Sequence, residues 1–299
     1  MYPKILITGS NGQVGFDLKR ACAPLGEVVA LDRQGMDLAK PDSIRAAIRK
    51  ICPNLILNAA AYTAVDKAES EALVANAVNA EAPGIIGEEA AKLGALVIHY
   101  STDYVFDGTQ LGAYLETDTT NPLSVFGRTK LAGEKALVAS GARHLIFRTS
   151  WVFGVHGKNF IKTILRLALE RSELKIVADQ FGAPTGSALL ADTSAQIASR
   201  FLFQDSEDIP CGVYHLTAGG ETSWHGFARY VVEKAVGAGL GLQACADSIL
   251  PISTRDYPTP AVRPANSRLE TDKFRKTFGL QSPDWTQGVD QVLDVIMSK

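Results

Sequence analysis

The sequence has no excess charge of either sign and no apolar run long enough to span a bilayer. Lysine and arginine number 30 and aspartate and glutamate 32, a formal net charge of −2. That balance argues against nucleic acid or an anionic membrane as the main partner, while leaving room for a local basic pocket around one diphosphate. Cysteine is scarce. Cys22, Cys52, Cys211 and Cys245 form no C-x-x-C pair, and no histidine stands at zinc-ligand spacing from them. They read as small buried hydrophobes in a reducing compartment, which argues against a disulfide framework. His99, His144, His156, His215 and His225 show no metal spacing either, and they read as structural. There is no internal repeat and no low-complexity tract. No signal peptide is expected, because Lys4 is followed at once by strand-like residues, and the expected location is the cytoplasm.

What is present is ordinary globular chemistry, with 46% apolar and 21% charged residues in 299. That length suits one large α/β domain, or one domain with a smaller partner. The first 150 residues alternate short apolar runs with helical patterns. Strands are expected at Ile5–Thr8, Val28–Asp32, Leu55–Ala59, Leu96–Ser101 and His144–Thr149. Each has little polar alternation, as suits strands buried on both faces of a parallel sheet. Helices are expected at Gln13–Ala23, Asp42–Lys50 with Asp42 as its cap, Glu69–Asn76 and Pro83–Leu93. This order predicts a doubly wound parallel α/β sheet. After residue 150 the rhythm changes. A helix is expected over Asn159–Arg171 with Phe160, Ile164, Leu165 and Leu167 on its apolar side, and another near Leu189–Phe201 that returns to the first domain. Asp179–Gly186, Gly237–Gly241 and Tyr257–Pro264 read as loops.

The segment from Ile5 to Gly15 reads as strand, glycine turn and helix start. Gly9 permits the tight turn, Gly12 lets the backbone approach a pyrophosphate, and Gly15 allows the helix to pack on the strand. The helix N-terminus offers free N–H groups and partial positive charge to the anion. Asp32 ends the second strand, where an acid bonds the ribose hydroxyls of NAD; Arg33 next to it suits the 2′-phosphate of NADP. Asp37 is placed near the adenine end or simply leads a helix. Residues 1–150 are thus expected to form a Rossmann-like NAD(P)-binding domain, with part of 187–203. Residues 151–299 are expected to be mainly a smaller, discontinuous α/β substrate domain.

Several stretches in order resemble one family. The Gly-x-x-Gly-x-x-Gly of residues 9–15 resembles the extended short-chain dehydrogenases. Asn58-Ala59-Ala60-Ala61-Tyr62-Thr63-Ala64-Val65-Asp66-Lys67-Ala68-Glu69 resembles the dTDP-4-dehydrorhamnose reductases. So do Tyr100 to Gly108, Arg148 to Gly154, Asp179 to Gly186 and Arg263 to Leu269. The resemblance covers nearly the whole chain. It implies reduction of the 4-keto group of a dTDP-6-deoxy-hexulose by NADPH or NADH to give dTDP-L-rhamnose. It also implies a Ser/Thr, Tyr and Lys constellation, in which a tyrosine protonates the oxygen, the lysine lowers its pKa and the Ser/Thr bonds the same oxygen.

The resemblance implies cofactor contacts from Gly9, Asn11, Gly12, Gln13, Val14 and Gly15, from Asp32, Arg33, Asp37 and Leu38, from Ala60, Ala61 and Tyr62, and from Lys130. It places Thr102, Asp103, Tyr104 and Trp151 at the sugar. Asn159, Gln180 and Arg263 are placed at the nucleotide part. Each has a plainer alternative: Thr102 as a strand former, Trp151 as a core residue, Arg263 in a surface salt bridge. Tyr104 in place of a glutamate argues against dehydratase chemistry. Ala188 stands where some relatives carry an acid at a dimer-contact metal, so no required metal is expected. The expected partners are a dTDP-sugar and, at most, a second copy of the chain, as monomer or homodimer.

The family's Tyr-x-x-x-Lys puts both side chains on one helix face. Here Lys130 is in place and Phe126 stands where the tyrosine should be. Phenylalanine carries no ionisable hydrogen, and losing a general acid costs about 10²–10⁴ in rate. Three readings follow: an engineered Tyr→Phe change, a natural member with weak or no activity, or another donor such as Tyr104 or water. Two further function classes stay open: a non-catalytic NAD(P)-binding regulatory subunit, and an epimerase or dehydratase of nucleotide sugars.

Overall fold

The computed structural model describes residues 2–203 and 209–298. Its centre is a six-stranded sheet of β1 (Lys4–Thr8), β2 (Glu27–Leu31), β3 (Leu55–Asn58), β4 (Leu96–Thr102), β5 (Arg143–Thr149) and β6 (Gly212–His215). Their order is β6-β5-β4-β3-β1-β2, and every neighbouring pair is parallel. β3 and β4 are buried along their whole length, as their unbroken apolar runs require.

Strand alternation divides the side chains between two faces. Ile5, Ile7, Leu57 and Ile98 point to one core, which also holds Leu18 of α1 (Gln13–Cys22). Leu6, Ile56, Val97 and Ile146 point to the other. There they meet Ile44 and Ile48 of α2 (Pro41–Ile51), Ile86 of α3 (Ala82–Leu93) and Leu137 of α4 (Val125–Ala139). Helices thus cover both faces, the doubly wound arrangement. The chain leaves β1 toward β2 on one side and resumes at β3 on the other. This puts a topological switch point at the carboxyl ends of β1 and β3.

The second half of the chain builds a third core. Ile161, Ile164, Leu165 and Ala168 of α5 (Phe160–Glu170) pack with Phe227 and Val231. These last belong to α7 (Trp224–Gly237), and α8 (Trp285–Met297) adds Val289. Three segments return to the sheet. Helix α6 (Ser187–Phe203) contributes Ala191 and Ala195 to the core over α1, β6 extends the sheet edge, and Asp272–Phe278 adds Phe274 and Phe278 to the same core.

Some local expectations are corrected: of the four cysteines only Cys22 is buried, while Cys52, Cys211 and Cys245 are exposed. The second helix begins at Pro41, with Lys40 at its N-cap and no side-chain cap; Asp42 sits inside the first turn, where its charge meets the helix dipole. The stretch 69–76 is not one helix: Val65–Ala68 and Ala72–Asn76 are separate, and a π-helical turn over Ala77–Glu81 leads into α3. On α5 the fully buried face is Ile161 and Ala168 with Ile164 and Leu165, while Phe160 and Leu167 are only partly covered. The stretch 179–186 holds short strands at Phe181–Gly182 and Thr185–Gly186, paired with Thr222–Ser223 and Val152–Phe153.

Candidate active site

A cleft of about 1090 Å³ opens at the carboxyl ends of β1, β3, β4 and β5. Its floor is the glycine turn. Gly9 takes φ +67°, and a Cβ there would lie 2.8 Å from the Ala60 backbone. A Cβ on Gly15 would lie 2.2 Å from the Gly9 carbonyl oxygen, so only glycine lets α1 start this close to β1. Gly12 is the N-cap of α1 and gives it no side-chain cap, which leaves N–H groups of the first turn facing the cleft. Asn11, Gly12, Gln13 and Val14 line this floor, whereas Gly15 packs behind it.

Asp32 at the end of β2 accepts from Asn11 Nδ2 at 3.0 Å and from the Gln34 and Gly35 N–H groups. The Gly35 and Gln34 N–H groups hold its carboxyl below the usual range. Arg33 and Asp37 both reach the cleft and lie 3.7 Å apart, with Leu38 beside them. Ala60, Ala61 and Tyr62 form the wall after β3, and the Tyr62 hydroxyl donates to Glu71 Oε2 at 2.6 Å.

Lys130 is buried on α4. Its Nζ donates to the Tyr100 carbonyl at 2.6 Å and lies 3.3 Å from His99 Nε2. Burial pushes its pKa down to about 8, against the pull of the Glu134 carboxylate one turn on. Behind it, His99 Nδ1 meets Asn58 Nδ2 at 3.0 Å and Asn58 Oδ1 accepts from Thr8. Burial first, and Lys130 second, hold the His99 imidazole well below its ordinary pKa, so it stays neutral. His99 thus belongs to the lysine's setting, a link that metal spacing had no means to reveal.

Phe126 lines the cleft one turn before Lys130, its ring edge-on to Tyr104 with centroids 5.6 Å apart. Ser124 caps the helix by accepting from the Gly127 N–H. Opposite, Thr102 ends β4. Its hydroxyl donates to Asp103 Oδ1 at 2.9 Å and accepts from the Tyr104 N–H at 3.2 Å. Asp103 is 3% exposed, and burial pushes its carboxyl up to about 6. Burial also raises the Tyr104 phenol.

Trp151 follows β5 in the left-handed region, φ +49°, and stacks on Trp224 with ring centroids 3.7 Å apart. Trp224 is a cleft residue that the sequence did not single out, as are Thr149, Tyr100 and Ser101. Asn159 caps α5 by accepting from the Lys162 N–H, and its Nδ2 donates to Gln13 Oε1 at 3.0 Å, tying α5 to the glycine turn.

Two expected nucleotide contacts stand outside the cleft lining. Gln180 is buried and donates to Thr254 Oγ1 at 3.1 Å. Arg263 donates to Asp66 at 2.8 Å, the salt bridge that was its plainer alternative, and its charge acts on the Tyr104 phenol.

The cleft thus joins a glycine cradle, a buried lysine and a threonine hydroxyl, and known relatives match the chain along nearly its whole length. The model of the RmlD substrate binding domain matches residues 3–298. This chain belongs to the dTDP-4-dehydrorhamnose reductase family. A dTDP-4-dehydrorhamnose reductase of Shigella flexneri is 51% identical over 298 residues, 98% of each chain. One of Burkholderia thailandensis is 46% identical, covering 99% of this chain and 100% of its own. The crystal structure of dTDP-4-dehydrorhamnose reductase from Bacillus anthracis in complex with NADP superposes with a TM-score of 0.88 at 31% identity, covering 99% and 100% of the two chains. Within this family, the fold is the doubly wound one read from the sequence. Among the described residues no helix is long and apolar enough to cross a membrane, and no three acidic, histidine or cysteine side chains cluster to hold a metal.

Proposed function

We propose that this chain reduces the 4-keto group of dTDP-4-dehydrorhamnose with NADPH or NADH, giving dTDP-L-rhamnose, at a rate limited by Phe126. The observation that carries the reading is the convergence of Thr102 and Lys130 on the cleft floored by the glycine turn. The cradle fits a dinucleotide: the turn is too tight for a Cβ at Gly9 or Gly15, and the first-turn N–H groups of α1 open onto it. Gly12, Gln13 and Val14 hold the pyrophosphate, and Asp32 with Arg33 sits at the adenosine ribose, where one suits NAD and the other NADP. When bound, the reduced nicotinamide supplies a hydride.

The chain's own groups do the rest. The Thr102 hydroxyl bonds the ketone oxygen as charge develops there. Buried Lys130 sets a positive charge under the site and orients the ribose. Trp151, braced by Trp224, offers its ring and N–H to the hexose. Phe126 fills the tyrosine's place without a proton. In this reading residues 1–150, with part of 187–203, form the cofactor domain, and 151–299 form most of a discontinuous substrate domain. The enzyme works in the cytoplasm as a monomer or homodimer.

Phe126 also favours a second reading, a cofactor-binding subunit without turnover. Incubation with dTDP-4-dehydrorhamnose and NADPH carrying deuterium at the transferable position separates the two. A dTDP-rhamnose product one mass unit heavier than with unlabelled cofactor supports the reductase. Cofactor binding with no labelled product over many hours supports the subunit.

A further inference from the structure

The reductase reading leaves one proton unassigned, and the inference rests on that reading. Lys130 directs its ammonium at the Tyr100 carbonyl and His99, and the Tyr100 phenol meets Ser194, so the cleft groups beside Thr102 and Phe126 that remain as proton sources are Tyr62, Tyr104 and Asp103. The Tyr62 proton is committed to Glu71 at 2.6 Å, and that bond holds the phenol pKa above its ordinary value. The Tyr104 phenol is buried and raised further, beside the Asp103 charge. Asp103 differs from both. It is 3% exposed, its Oδ1 lies 2.9 Å from Thr102 Oγ1, and its Oδ2 has no hydrogen-bond partner among the described residues. A buried carboxylate this poorly paired is costly because of its charge, and protonation removes that charge.

We propose that the carboxyl of Asp103 is the source of the proton delivered to the substrate oxygen in this chain, relayed through the hydroxyl of Thr102. The reason is the hydrogen count at Thr102. Its oxygen already accepts from the Tyr104 N–H, and its single hydrogen is directed at Asp103 Oδ1. While Asp103 is a carboxylate, that hydrogen has a charged acceptor and is withheld from a ketone. When Asp103 is protonated, the carboxyl O–H donates to Thr102 Oγ1 and the threonine hydrogen is free to turn to the substrate. As the ketone carbon gains a hydride from the reduced nicotinamide, the Thr102 O–H bond breaks toward the substrate oxygen. Thr102 takes the Asp103 proton in turn. The ketone becomes an alcohol, one hydride and one proton are consumed, and Asp103 is left as the carboxylate, to be recharged from water.

The groups facing Asp103 are the Thr102 and Ser267 hydroxyls and the Tyr104 phenol, with Arg263 and Asp66 beyond it. Burial outweighs the hydroxyls and lifts the carboxyl to about 6. An acid raised in this way holds its proton below about pH 6 and loses it above. Turnover of this chain therefore falls with rising pH above about 6, by about tenfold per unit.

The test is a double-mutant cycle on the full chain. Asp103→Asn is made alone and with Phe126→Tyr, and NADPH oxidation with dTDP-4-dehydrorhamnose is followed against pH. The proposal expects Asp103→Asn to cut turnover by at least about 100-fold alone, and by less than about tenfold when Phe126→Tyr supplies a second donor. Equal fractional losses in the two backgrounds would mean a structural role and overturn it. Turnover in neither background removes the reductase reading and the inference with it. A readout without turnover stands beside the cycle: carboxyl NMR of the unaltered chain with labelled aspartate. A resonance titrating near 6 that disappears in Asp103→Asn is expected. An Asp103 that titrates near 4 overturns the relay, whether or not the variants fold.

Discussion

Lys130 shows how a single side chain trades stability for chemistry. Its folded pKa of about 8 lies below the ordinary 10.5 because burial disfavours the charged form. Between those values the unfolded chain binds more protons than the folded one, so stability rises with pH across that window. Below about 8 the full penalty is present, on the order of 3 kcal/mol. Lys130→Met should therefore leave the melting temperature unchanged or raised near pH 7, part of the gain being offset by the Tyr100 carbonyl it leaves without its donor. Turnover should fall by about 100-fold or more. A large loss of thermal stability would mean that the lysine holds the fold together. At this scale the sequence showed what local backbone demands fix, such as the glycines of the turn and Lys130 in its four-residue spacing. It did not show what burial decides. The free oxygen of Asp103 and the neutral His99 behind Lys130 depend on neighbours 30 to 200 positions away, and no local pattern encodes them.

Among the elements, α4 carries the most. It approaches its neighbours closely because it has glycine where they touch: a Cβ on Gly133 would meet the Asn79 carbonyl oxygen at 2.0 Å. One turn beyond Lys130, Glu134 is buried against Arg148 of β5 at 2.7 Å and accepts from Ser101 of β4. This pair fastens the helix to the two strands that end at the cleft. Glu134→Ala leaves Arg148 buried without its partner and should cost about 3–5 kcal/mol, read by chemical denaturation. A loss below about 1 kcal/mol would show that the pair is solvated. The strands of the first half were legible because burial on both faces writes itself as unbroken apolar runs. The edge strand β6 was not: four residues, Gly212 to His215, carry too little pattern. The helices α7 and α8 were not read either, since their apolar faces are completed only by the third core they share with α5.

At the scale of the whole molecule, the cleft lies between the sheet core and the third core, and its wall takes Trp151, Asn159 and Trp224 from the second half of the chain. A dinucleotide that binds only the folded chain should raise its stability by about 2.7 kcal/mol at a hundred times its dissociation constant, a melting shift of about 5 °C. Gly15→Ala forces a Cβ into the Gly9 carbonyl and should abolish that shift while itself costing about 1–3 kcal/mol. An undiminished shift would place the cofactor elsewhere. The alternation of strands and helices and the family resemblance were legible because they span the chain. The packing of Trp151 on Trp224 was not, since 73 positions separate the two rings and neither flank announces the other.

The most direct measurement is NADPH oxidation with dTDP-4-dehydrorhamnose by this chain and its Phe126→Tyr variant, side by side near neutral pH. The phenylalanine ring lines the cleft and tyrosine is nearly isosteric with it, so the fold is kept. A gain of about 10²–10⁴ on restoring the hydroxyl is predicted. Equal turnover of the two proteins would contradict the claim that position 126 limits the reaction.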